Sequence, residues 1–251
     1  MSEGDNASVL RNMADWGAVS PALSITDVTV TEGNAGSVNA VFALRLSSPS
    51  SQSVTVSYAT GDADATAGRD YSAASGMLTF APGETVKYIT VAVLGDLVDE
   101  YDQQFLVSLS GASHAEITVA QATATILDDD PPPTISIADA SIQEGDRGTK
   151  RMSFTVTLSA ASEKEVSFYY DTSDGTATTA DADYQGTGGW LSFAPDERTK
   201  TISVVIPGDR ELEPDETFYV NLSGVVDATI ADGQAIGKIL NNDKKRGNKR
   251  R

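Results

Sequence analysis

Apolar residues recur at every second position in short runs along most of the chain. Val38, Ala40, Phe42, Leu44 and Leu46 alternate with small or polar residues, and the same period returns in Val54, Val56 and Tyr58, in Ile89, Val91 and Val93, in Phe105, Val107 and Leu109, and in Ala122, Ala124 and Ile126. Successive side chains of a strand point to opposite faces, so this spacing predicts strands with one buried and one wet face. A second set follows in Phe154, Val156 and Leu158, in Val166, Phe168 and Tyr170, in Ile202, Val204 and Ile206, and in Phe218, Val220 and Leu222. Turn clusters such as APGE at 81–84 and APDE at 194–197 separate the runs, and no long helical pattern interrupts them. About seven short strands in about 110 residues predict a β-sandwich, so the fold class is all-β.

The two sets are copies of one unit. Glu32 matches Glu144 and Asp62 matches Asp174 at an offset of 112, whereas Asp70/Asp183, Tyr71/Tyr184, Phe80/Phe193, Asp96/Asp209, Glu100/Glu213, Phe105/Phe218 and Asp130/Asp243 match at 113. One residue inserted between the counterparts of Asp62 and Asp70 accounts for the step. The organisation read from this repeat is an N-terminal arm over 1–20, a first domain over 21–130, a second over 131–243, and a basic tail over 244–251. Val9, Leu10, Met13 and Trp16 in the arm have the spacing of a short amphipathic turn, but a loosely ordered arm is the expectation.

The joint between the copies is the most unusual stretch. Asp128, Asp129 and Asp130 stand together before Pro131, Pro132 and Pro133. Two carboxylates about 4 Å apart repel by roughly 4 kcal/mol at an effective dielectric near 20, so ordering three of them asks for a cation. The prolines fix φ and donate no hydrogen bonds, which makes them a stiff linker of about 9 Å in polyproline II geometry.

Composition narrows the chemistry. There is no cysteine and one histidine, His114, which excludes disulfides, thiolate catalysis and the thiolate and imidazole sites of zinc, copper or iron. Acidic residues outnumber basic ones 36 to 18, and six of the basic residues lie in the last eight, KKRGNKRR; the body then carries 12 against 36, a balance of −24. Such a body repels nucleic acid and anionic membranes and attracts hard divalent cations, although acidity alone also serves solubility. Nucleic acid is expected to bind only through the tail, weakly and not at moderate salt. No apolar run approaches the ~18 residues of a membrane span, and the first 20 residues lack the pattern of a secretory signal. No nucleophile elbow, P-loop or dinucleotide fingerprint is present. Nothing sets Asp99 and Asp102 across a sugar cleft, and DADATAGRD fails as an EF-hand because Ala67 and Ala73 replace the required glycine and glutamate. The chain therefore reads as a non-enzyme.

The segments TEG at 31–33, TGDADATAGRDY at 60–71, LTFAPGET at 78–85, GDLVDEYDQQF at 95–105 and ATILDDD at 124–130 resemble a Calx-beta domain. QEG, TSDGTATTADADY, LSFAPDERTKTI, GDRELEPDETF and KILNND resemble it again over 134–243, so the likeness covers nearly nine tenths of the chain. The resemblance implies two tandem immunoglobulin-like sandwiches with calcium sites in loops at one end of each. The ligands it implies are Glu32, Asp62, Asp96, Glu100, Asp128, Asp129 and Asp130 in the first domain and Glu144, Asp174, Asp209, Glu213, Glu216 and Asp243 in the second. Calcium takes six to eight oxygens and tolerates irregular geometry, which suits such a set.

The sequence also departs from that pattern. Gly95 and Gln103 stand where acids are common in the family, so the first domain is expected to hold fewer ions or to hold them less tightly. In the second, Asn241 and Asn242 replace two aspartates and bring no charge to offset desolvation of the ion. Asp70–Tyr71 and Asp183–Tyr184 read as a turn cap beside a core ring, outside the site. The expected function is a calcium-binding structural or adhesion-type module in which Ca²⁺ stiffens the loop end and the joint. A calcium-sensing regulatory module and a virion or cell-surface assembly protein are the alternatives. A protein partner or self-association and an extracellular, cell-surface or virion location go with these readings.

Overall fold

The computed structural model describes residues 20–243; the N-terminal arm and the basic tail proposed from the sequence lie outside the described residues. All regular structure among the described residues is strand, and no helix there is long and apolar enough to cross a membrane. The chain forms two compact units, each one β-sandwich.

The first sandwich has nine strands: β1 (Ala22–Ile25), β2 (Val28–Thr31), β3 (Gly36–Leu46), β4 (Val54–Asp62), β5 (Ser75–Phe80), β6 (Val86–Gly95), β7 (Gln103–Ser113), β8 (Glu116–Ile117) and β9 (Gln121–Leu127). They make a four-stranded sheet in the order β6-β3-β1-β8 and a five-stranded sheet in the order β2-β9-β7-β4-β5. The second repeats this element for element: β10 (Thr134–Ile137), β11 (Ala140–Gln143), β12 (Gly148–Leu158), β13 (Val166–Asp174), β14 (Gly188–Phe193), β15 (Thr199–Gly208), β16 (Glu216–Val226), β17 (Thr229–Asp232) and β18 (Gln234–Leu240), ordered β15-β12-β10-β17 and β11-β18-β16-β13-β14.

The predicted all-β tandem sandwich is what forms, with more strands than the seven expected per unit. The first strand of each unit divides because the chain crosses from one sheet to the other. β1 pairs with β3, while β2 pairs with β9. Asp27 sits at the crossing and accepts the Thr123 amide at 2.8 Å; Asp139 does the same for Ile236 at 2.7 Å. A short β8 and its counterpart β17 supply the remaining strand.

The period of two becomes burial. Ala40, Phe42, Leu44 and Leu46 of β3 and Phe105, Val107 and Leu109 of β7 are buried, and Phe42 meets Phe105 edge-on at 6.1 Å. Phe154 and Phe218 repeat the contact at 5.9 Å. Each such ring contributes about 1.5–3 kcal/mol relative to an exposed one.

Register decides where the acids end up. β2 runs parallel to β9 with Thr31 opposite Leu127, so both strands finish side by side, and the Glu32 amide donates to the Leu127 carbonyl. Asp62, the last residue of β4, faces Phe105 near the start of β7, and Gly95 at the end of β6 faces Gly36 at the start of β3. The loops after β2, β4, β6 and β9 therefore converge on one pole. The same pairings, Gln143 with Leu240, Asp174 with Phe218 and Gly208 with Gly148, build the pole of the second sandwich.

Candidate metal centre

At the first pole, Glu32, Asp128 and Asp130 each bring a carboxylate oxygen within 4.8 Å of the others. Glu32 and Asp130 are buried, as is Glu100 in the β6–β7 connection, which lies outside that trio. The remaining expected ligands are engaged otherwise. Asp129 Oδ1 accepts the Gly33 amide at 3.0 Å and so ties the end of β9 to the turn after β2. Asp62 Oδ1 accepts the Tyr71 hydroxyl at 2.6 Å and the Ala67 amide at 2.9 Å. These two donors hold the Asp62 carboxyl below its usual range. Asp96 is not among the three converging residues.

The second pole gathers different residues. Asp183, Glu213 and Glu216 place carboxylate oxygens within 4.8 Å of one another, all three half-buried. Burial, then the charge of Asp183, pushes Glu216 up to about 7. Burial and the charges of Asp183, Asp209, Glu211 and Asp181 raise Glu213 as well. On the other side of this pole Glu144 is buried, and burial followed by Asp209, Glu213 and Asp243 pushes it up to about 6. Glu144 Oε1 and Asp243 Oδ2 are buried oxygens without a hydrogen-bond partner among the described residues. A buried carboxylate oxygen left so is costly, and a hard cation is the partner that its chemistry calls for. Asp209 Oδ1 accepts the Glu211 amide at 2.7 Å, and Asp174 repeats Asp62 by accepting Tyr184 at 2.5 Å and the Thr179 amide at 3.1 Å.

Asp183 is the residue that sequence reasoning set aside, because an Asp–Tyr pair in a loop looks like a turn cap. The cap exists: Asp183 Oδ2 accepts the Thr178 amide at 2.7 Å. It does not prevent the carboxylate from also facing Glu213 and Glu216. The available signal was the change from Gln103 to Glu216 and from Arg69 to Ala182 between the copies. In the first sandwich Arg69 Nε lies 3.8 Å from Asp70, so the counterpart of Asp183 has a cation beside it.

Two departures noted from the sequence also have physical explanations. A Cβ on Gly95 would lie 1.9 Å from the Gly33 carbonyl oxygen, and one on Gly208 would lie 2.2 Å from that of Gly145. No side chain fits there, so Gly95 is a close approach that seats the turn carrying Glu32 rather than a ligand given up. Asn242 Oδ1 accepts the Gly145 amide at 2.7 Å, the bond that Asp129 makes to Gly33. An amide oxygen performs that role without charge.

The Calx-beta domain family model matches residues 18–130 and again 128–243. Sodium/calcium exchanger 1 of Bos taurus is 32% identical over 208 residues, 75% of this chain and 21% of the exchanger, and sodium/calcium exchanger 2 of Rattus norvegicus is 32% identical over 185 residues, 66% of this chain and 20% of its own length. The chain thus spans about a fifth of the curated relatives that it matches. Among solved structures, CBD12 from CALX1.2 aligns with 87% of this chain and 99% of its own at 23% identity and a TM-score of 0.41. With both sandwiches matched in full and the motif residues grouped at their poles, this chain belongs to the Calx-beta domain family, of which it carries two copies in tandem.

Proposed function

We propose that the chain is a non-enzymatic calcium-binding module in which Ca²⁺ fixes the loop pole of each sandwich, as part of a structural or adhesive protein. The observation that carries this reading is the pair of carboxylate trios, Glu32–Asp128–Asp130 and Asp183–Glu213–Glu216. Each gathers three acids from two separate segments of the chain into a space where they repel unless a cation sits among them. Carboxylates, loop carbonyls and water together supply the oxygen shell that calcium takes. A regulatory calcium sensor is the second reading, favoured by the similarity to sodium/calcium exchangers over three quarters of the chain.

Calorimetric titration of chelator-stripped protein, paired with melting in EDTA and in calcium, tests the proposal. Binding heat and a higher melting point in calcium are expected, with about 2.7 kcal/mol of added stability at a hundredfold excess over the dissociation constant. Equal melting points and no heat would defeat it. A calcium-dependent change in small-angle scattering would favour the sensor over the structural module.

A further inference from the structure

Tyr184 and its counterpart Tyr71 are buried, with 2% and 1% of their surface exposed. Each ring stacks on a core phenylalanine: Tyr184 on Phe218 at 4.3 Å and 11°, and Tyr71 on Phe105 at 4.1 Å and 11°. Each hydroxyl donates to the aspartate that ends the preceding strand, Tyr184 to Asp174 and Tyr71 to Asp62. A tyrosine so placed joins three parts of the fold: the ring fixes it to β16, the hydroxyl to the end of β13, and the backbone carries the residue before it. In the second sandwich that residue is Asp183, and Phe218 lies two positions from Glu216 on the same strand. The start of the loop is pressed equally close, since a Cβ on Gly175 would lie 2.4 Å from the Thr217 carbonyl oxygen.

We infer that Tyr184 is the positioning residue of the second pole: through Asp174 and Phe218 it holds the Asp183 carboxylate in register with Glu213 and Glu216 for cation binding. This rests on the calcium reading proposed above. Tyr71 performs the same bracing on Asp70, but there Gln103 replaces the glutamate and Arg69 stands beside the aspartate, so among the described residues its bracing serves no carboxylate trio. The first pole's trio, Glu32–Asp128–Asp130, comes from the ends of β2 and β9 and not from the loop that Tyr71 holds. Asp174 accordingly acts as a strut, its Oδ1 taken by the hydroxyl and the Thr179 amide.

The asymmetry between identical substitutions is the test. Tyr184→Phe and Tyr71→Phe each remove one hydroxyl and keep the stacked ring, so both should lower the melting point in EDTA to a similar extent. In calcium titrations of the whole chain, Tyr184→Phe is expected to weaken one class of site by about 10–100-fold, the usual effect of losing a group that orients a metal ligand, whereas Tyr71→Phe keeps the wild-type isotherm. Asp174→Asn, which retains an oxygen acceptor, should keep most of the affinity that Asp174→Ala loses, which covers the case of Tyr184→Phe folding poorly. A wild-type isotherm for Tyr184→Phe, or equal weakening by both tyrosine variants, would overturn the inference with calcium binding intact. Absence of calcium heat in the wild type would instead remove the parent reading, and this inference with it.

Discussion

The two poles share a backbone and differ in where the charge lies on it. In the first, Asp128 and Asp130 follow β9 and meet Glu32, while the opposite side has Gln103 and an aspartate beside Arg69. In the second, Asn241 and Asn242 thin the charge after β18, and Asp183, Glu213 and Glu216 concentrate it on the opposite side. A handful of side chains therefore moves the converging carboxylate trio across a pole without altering strand order, register or the tight glycine turns. In a repeat protein of this kind, equivalence of fold does not carry equivalence of site, and each copy has to be read from its own side chains.

The comparison breaks most visibly if the first pole can be given the second pole's centre. Arg69→Ala together with Gln103→Glu removes the cation near Asp70 and restores the third acid beside Glu100. Calorimetry should then count one further calcium per chain, and an unchanged stoichiometry would show that more than these two positions separates the poles.

A smaller effect follows from pH. Glu216 takes up its proton at about 7 in the metal-free fold against an ordinary value of 4.5, and Glu144 at about 6. Between about 4.5 and about 7 the folded chain therefore holds more protons than the unfolded one, and this contribution to stability falls as pH rises. Calcium needs the carboxylates ionised, so its stabilising increment grows through the same window and binding releases protons. In EDTA at neutral pH, Glu216→Gln should melt above the wild type, and the difference should vanish towards pH 4.5. A constant difference across the range would contradict this origin. The smallest effect is expected from Asp129→Asn: Asn242 already makes the equivalent bond to the turn amide, so melting in EDTA should change by about 0.5 kcal/mol or less.

Much of this was legible in the sequence. Alternation in Ala40, Phe42, Leu44 and Leu46 marked β3 and its inward face, and the repeat located the second copy of nearly every strand. The Calx-beta resemblance implied Glu32, Asp128 and Asp130, which lie just beyond the ends of β2 and β9. What the sequence left undetermined depends on register and packing. The parallel pairing of β2 with β9 puts Glu32 beside Asp128, and no local pattern announces it. Asp62 and Asp174 look like ligands until a buried tyrosine, nine or ten residues on, is seen to occupy one oxygen of each. Asp183 looks like a cap, and is one, while also facing two glutamates. Gly95 looks like a missing acid until the nearby Gly33 carbonyl shows that no side chain fits.

The most direct measurement is a calcium titration of three chains: wild type, Glu32→Gln with Asp130→Asn, and Glu213→Gln with Glu216→Gln. If each sandwich binds calcium through its own trio, each double variant loses a different part of the wild-type isotherm and keeps the rest. An isotherm untouched by either pair, or the same component lost in both, would contradict the account.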